Sequence, residues 1–323
     1  MIVARAPLRI SFVGGGSDLP AYWRQSGRVG RVLGMAIDQY VYVAVHRTFD
    51  GKFRAVYSQT EEVDDPKDLQ NPLTRECLLD SGIKEGVEIS SMADVCRGGT
   101  GLGSSSAYTV ALLAALSGKA NAVRLAERAV KVEIDRCKKP IGLQDQYLSA
   151  LGGIKVLEFM DLDGGVYFHA IHEDWFLKDL MLFHIGTERS SDSILARQGD
   201  TIAKSPGFEA VEALTNLVPR LLYSIELLDP TMFGETLDQA WQIKRSLDPA
   251  ISTPEIDGWY AAARQAGALG GKLLGAGGGG FLLLYCPGGR HDVIREAMMP
   301  LREVPFGLDL DGVKIVYNDE ERD

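Results

Sequence analysis

Cysteine is scarce in this sequence: Cys77, Cys96, Cys137 and Cys286 lie far apart, and none forms a Cys-x-x-Cys pair. Neither a zinc site nor a disulfide framework is indicated, and the four read as buried or half-buried thiols in a reducing compartment. Histidine is as thin, with five residues and no cluster; the nearest pair, His169 and His172, falls on a strand and its exit. A basic tract is also missing. The chain has 34 Lys and Arg against 44 Asp and Glu, a formal net charge of -10, which repels phosphate backbones and argues against nucleic-acid binding. No apolar run is long enough to span a bilayer. The opening stretch MIVARAPLRISFV, interrupted by Arg5, Pro7 and Arg9, lacks a secretory cleavage pattern. Low-complexity segments and repeats are absent. The expectation is a cytoplasmic protein without membrane or nucleic-acid partners, holding any anionic ligand by local features.

The chain does have size, with 323 residues, 46% of them hydrophobic, enough for a large core and more often two domains than one. Period-two patterns and turn residues predict strands over 1–13, 39–48, 53–58 and 87–93, with Asp50-Gly51 as a hairpin signal and 60–72 as a loop. Helices are predicted over 104–117 and 121–137, then a short one ending at Gly152-Gly153. Strands follow near 154–160, 166–171 and 180–186. The second half reads as helices over 191–203, 208–228, 231–247 and 254–267, a strand–glycine loop–strand over 272–286, a helix near 291–302 and a last strand near 312–317. The predicted class is α+β, with a domain junction near 172–180, dividing the chain into 1–175 and 176–323.

Three glycine-rich segments stand out. GTGLGSSSA, Gly99–Ala107, lies between a predicted strand and a predicted helix. Glycines allow close backbone approach to a ligand, and a helix N-terminus offers free N–H groups with a positive dipole end. Together they make an anion cradle; the alternative is a flexible turn with serine N-caps. It is no Walker loop, because no Lys-Ser/Thr follows the last glycine, and no G-x-G-x-x-G fingerprint, which argues against a dinucleotide-dependent oxidoreductase. LLGAGGGGF, Leu273–Phe281, sets four consecutive glycines between apolar strands, more than a plain hairpin needs. RAPLRISFVGGGSDLPAY, Arg5–Tyr22, runs a strand carrying Arg9 into Gly14-Gly15-Gly16, then Ser17-Asp18. Asp18 reads either as a turn residue or as a partner for sugar hydroxyls.

Two more carboxylates draw notice. Plotted at about 100° per residue, the helix over 121–137 has a broad apolar arc with Glu133 in its middle. An unpaired buried carboxylate is costly, so Glu133 needs a cation or several donors: the plain reading is a salt bridge with an arginine, the functional one a magnesium ion. Asp145 falls in the first turn of the short helix, where the dipole alone favours an acid.

The three glycine segments, in this order and at these positions, resemble those of the GHMP kinases, and the resemblance runs the length of the chain. It implies a two-domain α+β fold with the active site in the interdomain cleft, and transfer of the γ-phosphate of ATP to a small alcohol. Carried over by position, it implies that Gly99, Gly101, Leu102, Gly103, Ser104, Ser105 and Ser106, with Gly277 and Gly278, bind the nucleotide. Ser105 and Glu133 would hold Mg2+; Asp145 would be the catalytic base with Arg9 beside it; Gly16, Ser17 and Asp18 would meet the sugar. RAPLRISFVGGGSDLPAY, GLQDQYLSALGG (Gly142–Gly153), TERSSDSIL (Thr187–Leu195) and KRSL (Lys244–Leu247) are similar to the bacterial heptose 7-phosphate kinase branch. That implies a sugar-phosphate acceptor phosphorylated at its anomeric hydroxyl, with Arg189, Lys244 and Arg245 as candidates for its phosphate. Gly15-Gly16 stand where galactokinases carry Glu-His, which turns the reading away from galactose. A kinase for another hexose, fucose or a mevalonate-like alcohol, and a non-catalytic sugar sensor, are the rival readings. Oligomeric state stays open, a homodimer included.

Overall fold

The computed structural model describes residues 1–95, 100–160, 165–186, 196, 197, 199, 201, 202 and 205–319. In chain order the elements are β1 (Ile2–Val13), α1 (Pro20–Ser26), β2 (Gly30–Arg47), β3 (Phe53–Val56), β4 (Thr60–Val63), α2 (Pro72–Ser81), β5 (Val87–Ala93), α3 (Ser104–Ser117), α4 (Ala122–Val130) and α5 (Gln144–Leu151). They continue with β6 (Ile154–Phe159), β7 (Val166–Ile171), β8 (Leu180–His184), α6 (Ser205–Glu226), α7 (Pro230–Ser246), α8 (Pro254–Ala266), β9 (Gly270–Leu273), β10 (Phe281–Tyr285), α9 (His291–Ala297), β11 (Arg302–Glu303) and β12 (Lys314–Asn318).

Two sheets organise the chain. The larger has eight strands in the order β12-β1-β2-β5-β3-β4, with β6 and β7 added beside β2. The smaller has four, ordered β11-β8-β10-β9. β1 is buried along most of its length and pairs antiparallel with β2 along its length and with β12 over Ile2–Arg5. Arg9 lies beyond the β12 ladder: it stands opposite Ala36 of β2, and its N–H donates to the Leu102 carbonyl. The C-terminal strand β12 returns to the first sheet and pairs with β1.

α3 is small and apolar nearly all round, which only a buried helix can be. It packs on β1 and β2, with α2, α4 and α5 around it. α6 pairs with α7, and α7 packs on β9. The main core extends through both sheets, and a second cluster, including Trp241, Ile256 and Leu284, fills the space between the smaller sheet and α7–α8. Behind the junction of the two sheets Phe12, Phe176, Phe233 and Tyr285 form a chain of aromatic contacts, with centroid distances of 5.7 Å for Phe12–Phe176 and 4.7 Å for both Phe176–Phe233 and Phe233–Tyr285. Such edge-on and stacked pairs contribute about 0.5–1.5 kcal/mol each beyond area burial.

Several expectations need correcting. β2 begins at Gly30 rather than 39, because its first half is buried on both faces and does not alternate. Asp50-Gly51 does turn the chain, but no hairpin forms: β5 lies between β2 and β3, antiparallel to the first and parallel to the second. The segment 60–72 holds β4 and leads directly into α2, whose N-cap Asn71 accepts from the amides of Leu73 and Thr74 with Pro72 in the first turn. The helix over 121–137 is not uniform: α4 ends at Val130 and continues as a π-helical turn, Lys131–Arg136, which carries Glu133. The helix expected over 191–203 falls mostly outside the described residues.

Candidate active site

The first glycine segment turns at Gly14 (φ +88°) and Gly16 (φ +96°). A side chain at Gly14 would place its Cβ 1.9 Å from the Arg31 carbonyl oxygen, so the strand can leave the sheet here only with glycine. Ser17, fully buried, fastens the turn: its hydroxyl meets the carbonyls of Gly14 and Arg31 and accepts from the Arg31 amide. Beside this turn lies a cavity walled by residues that include Arg9, Asp18, Gln144, Asp145, Lys244 and Lys272; Ser17 shapes the loop and does not line it. Gly16 and Asp18 do. Asp18 is 2% exposed and accepts from the amides of Gly16 (3.1 Å) and Gln144 (3.3 Å) and from the Gln144 side-chain nitrogen (3.0 Å). Burial, then repulsion from Asp145, raises its pKa above the usual carboxylate value; the backbone amides of Gln144, Gly16 and Asp18 itself oppose the rise.

The Arg9–Asp145 pair is the centre of the arrangement. Arg9, on β1 and 5% exposed, donates from Nε to Oδ1 and from Nη2 to Oδ2 of Asp145, each at 2.7 Å. Its third nitrogen, Nη1, donates to the Gly101 carbonyl. Asp145 stands in the first turn of α5, anchored beneath by the buried Tyr147 and Leu148. A central strand and a helix N-terminus from distant parts of the sequence therefore meet in a bidentate fork, the geometry that guanidinium and carboxylate favour.

The middle glycine segment abuts this pair. Gly103, at φ +75°, is the N-cap of α3, and a Cβ there would lie 3.2 Å from Asp145 Oδ2 and 3.1 Å from Arg9 Cγ. The alternative of serine N-caps is not what forms: no side chain caps α3, so its first-turn amides have no side-chain acceptor. Leu102 is buried, its N–H faces the Thr100 hydroxyl (3.2 Å) and its carbonyl accepts from the Arg9 amide (2.9 Å). It braces the turn with its backbone. Ser104 and Ser105 are accessible, whereas Ser106 is 1% exposed. Gly99 lies outside the described residues.

Glu133 is fully buried, and its partners are not the expected arginine. Oε2 accepts from the Ser106 hydroxyl and the Gln146 side-chain nitrogen Nε2, both at 2.7 Å. Oε1 has looser partners, the Ser105 hydroxyl at 3.2 Å and the Lys139 ammonium at 3.3 Å. Among the described residues no group of three or more His, Cys, Asp and Glu side chains could hold a metal ion. Magnesium bound with nucleotide phosphates needs only one or two protein oxygens, and the adjacent Glu133 Oε1 and Ser105 Oγ fit that donor set.

The last glycine segment closes against the middle one. A Cβ at Gly275 would stand 2.3 Å from the Gly101 Cα, so both positions must be bare for the loops to touch. Gly275 and Ala276 line the cavity; Gly277 and Gly278 do not. At Gly278, which the resemblance implies binds the nucleotide, the N–H donates to the Ile251 carbonyl at 2.9 Å. At Gly277, φ is +115°, and a Cβ there would stand 2.7 Å from the Ile251 Cα.

Among the basic candidates, Lys244 lines the cavity, its ammonium donating to the carbonyls of Leu273 and Gly275. Desolvation, and then Arg9, lower its pKa to about 7. Arg245 does not line the cavity and is engaged elsewhere, donating to Asp257 at 2.8 Å. Arg189 lies outside the described residues. Lys272, which sequence reasoning missed, lines the same cavity, 5% exposed, donating to the Phe12 carbonyl at 3.0 Å. Burial foremost, then Lys244 and Arg9, pull its pKa well below the usual lysine value. A single lysine in the otherwise apolar and glycine run GGKLLGAGGGG was the available signal.

No helix of the described residues is long and apolar enough to cross a membrane. A sequence profile for the GHMP kinases N terminal domain matches residues 72–153, and one for the GHMP kinases C terminal matches 221–300. D-glycero-alpha-D-manno-heptose 7-phosphate kinase of Campylobacter jejuni is 24% identical, over 97% of this chain and 98% of its own. Mevalonate kinase of Methanothermobacter thermautotrophicus is 30% identical over 61% of this chain and 63% of its own. Among solved structures, a D-glycero-D-manno-heptose 1-phosphate kinase from Bacteriodes thetaiotaomicron superposes with a TM-score of 0.77 at 21% identity, covering 98% of this chain and 100% of that one. Galactokinase of Lactococcus lactis, complexed with galactose, gives 0.75 at 17% identity over 98% and 94%. With both domain profiles matched in order across just over half of its residues, and with the whole two-domain fold shared, this chain belongs to the GHMP kinase family.

Proposed function

We propose that the chain is an ATP-dependent sugar kinase that phosphorylates the anomeric hydroxyl of D-glycero-D-manno-heptose 7-phosphate. The observation that carries this reading is the bidentate Arg9–Asp145 pair in the cavity wall, directly against the uncapped N-terminus of α3. Phosphoryl transfer is chiefly positioning and charge neutralisation, and those are what this arrangement supplies.

The Gly101–Ser106 turn and the first amides of α3 cradle the nucleotide's phosphates. Ser105 and Glu133 would hold magnesium, which would supply charge neutralisation at the phosphate oxygens. Asp18, with three N–H groups fixing its orientation, hydrogen-bonds sugar hydroxyls. Asp145 accepts the proton of the attacking hydroxyl. The sugar oxygen forms a bond to the γ-phosphorus while the bond to the bridging β–γ oxygen breaks, and ADP leaves. Arg9 holds Asp145 in orientation through the two-bond fork and stands ready to meet charge on the transferred group.

Support for a heptose phosphate, rather than another alcohol, comes from the full-length similarity to the Campylobacter jejuni enzyme of that name. The test is product analysis. Incubation with ATP, magnesium and the heptose 7-phosphate is expected to yield ADP and a heptose 1,7-bisphosphate, identified by phosphorus NMR. Turnover of fucose, a neutral hexose or mevalonate, with none of the heptose phosphate, overturns the assignment.

A further inference from the structure

The cavity wall holds more basic groups than carboxylates. Arg9 is paired with Asp145, but among the described residues Lys244 and Lys272 have no carboxylate within ion-pair distance. Their acceptors are carbonyls, which offer partial charge only. Asp18, the other carboxylate in the wall, is already held by three N–H groups. Of the three hydrogens on each ammonium, Lys272 has two left over and Lys244 one. The Ser11 hydroxyl lines the same cavity, 6% exposed, and has no hydrogen-bond partner among the described residues. Four donors thus face one small space unused, and buried donors are costly unless something accepts from them.

The complement is a compact group with several acceptor oxygens and up to two negative charges: a phosphate monoester. Position decides which one. Residues 100–106 touch the Arg9–Asp145 pair, but none of them lines this cavity, which is walled instead by the first glycine turn, Asp18, α7 and β9. The cavity therefore lies on the acceptor's side of the pair, away from the α3 N-terminus. We propose that Lys244, Lys272 and Ser11 form the subsite for a phosphate monoester borne by the acceptor. Lowered pKa values of both lysines agree with this, since burial strips solvent from the ammonium groups and a dianion beside them favours their charged form.

The proposal rests on the kinase reading, and the test separates the two. Affinity for heptose 7-phosphate and for unphosphorylated heptose is measured by calorimetry without nucleotide, in the wild type, Lys272→Met and Lys244→Met, with melting curves confirming folding. The preference for the phosphorylated sugar is expected to fall about 10–100-fold in either lysine variant, the size of a lost hydrogen bond to a charged group. A preference unchanged in both variants, or a loss confined to binding of a non-hydrolysable ATP analogue, overturns the subsite. Should the wild type bind the sugar phosphate through these lysines yet transfer nothing to it from ATP, the kinase reading fails while the subsite stands. Lys244→Met keeps the question answerable if Lys272→Met does not fold.

Discussion

Arg9 and Asp145, 136 residues apart in sequence, are joined by two parallel hydrogen bonds of 2.7 Å, and Arg9 has a third to the Gly101 carbonyl. One side chain thereby sets the distance between Asp145, the proposed base on α5, and the glycine turn before α3. Asp145→Asn keeps the shape but removes the proton acceptor. It is expected to lower kcat by about 10²–10⁴-fold, the usual contribution of general-base catalysis. KM for both substrates should change little. Steady-state kinetics checks this; unchanged kcat removes Asp145 from the base role.

Gly142 owes its identity to Asp18. A Cβ at this position would stand 1.9 Å from Asp18 Oδ2. Gly142→Ala forces the carboxylate out of its three N–H contacts without touching Arg9 or Asp145. The expected outcome is a rise in acceptor KM of about tenfold or more, the loss of one or two charge-assisted hydrogen bonds, with KM for ATP held. Equal damage to both KM values would mean that Asp18 does not face the acceptor.

Much of this site was legible beforehand because its residues violate local expectation. Arg9 sits in an apolar strand, Glu133 in an apolar arc, and glycines cluster beyond what turns need. Lys272 breaks the same rule on β9, but a strand of four residues, two of them glycine, shows too little pattern for the lysine to stand out. What the sequence could not carry is long-range pairing. Asp50-Gly51 specifies a turn, yet whether the following strand pairs with its predecessor depends on β5, more than thirty residues away. Likewise, the choice of Lys139 rather than an arginine for Glu133 depends on the π-helical turn, which has no sequence period of its own.

Glu133 separates a structural role from a catalytic one. Four donors surround it, so Glu133→Gln turns an amide NH2 toward donors and leaves the Lys139 ammonium, 17% exposed, without its carboxylate. Breaking a buried pair this way costs about 3–5 kcal/mol, which urea unfolding would read as a lower midpoint. Lys139→Met removes the cation but keeps the carboxylate. If Glu133 holds magnesium with Ser105, this second variant retains activity and its magnesium requirement, whereas Glu133→Gln needs a higher magnesium concentration for half-maximal rate. Identical magnesium titrations for the two variants would assign Glu133 to the fold alone.

Lys244 gives the protein a pH signature. Its pKa falls from 10.5 in the open chain to about 7 in the folded protein, through desolvation first and Arg9 second. Below about pH 7 both states hold the proton, and the buried charge weighs fully against folding. Between about 7 and 10.5 the unfolded chain binds more protons, so this group makes stability rise with pH. Replacing it by methionine removes that slope. The stability difference between Lys244→Met and the wild type, read from urea midpoints, should therefore favour the variant most at pH 6–7 and narrow toward pH 10. Ligand binding reverses the bias, because a dianion beside the ammonium favours its charged form. At pH 8, binding of the sugar phosphate is expected to draw a proton from solution, visible as a calorimetric heat that depends on the buffer's ionisation enthalpy. The dependence should disappear in Lys244→Met; if it persists unchanged, the proton goes to another group and Lys244 does not meet the phosphate.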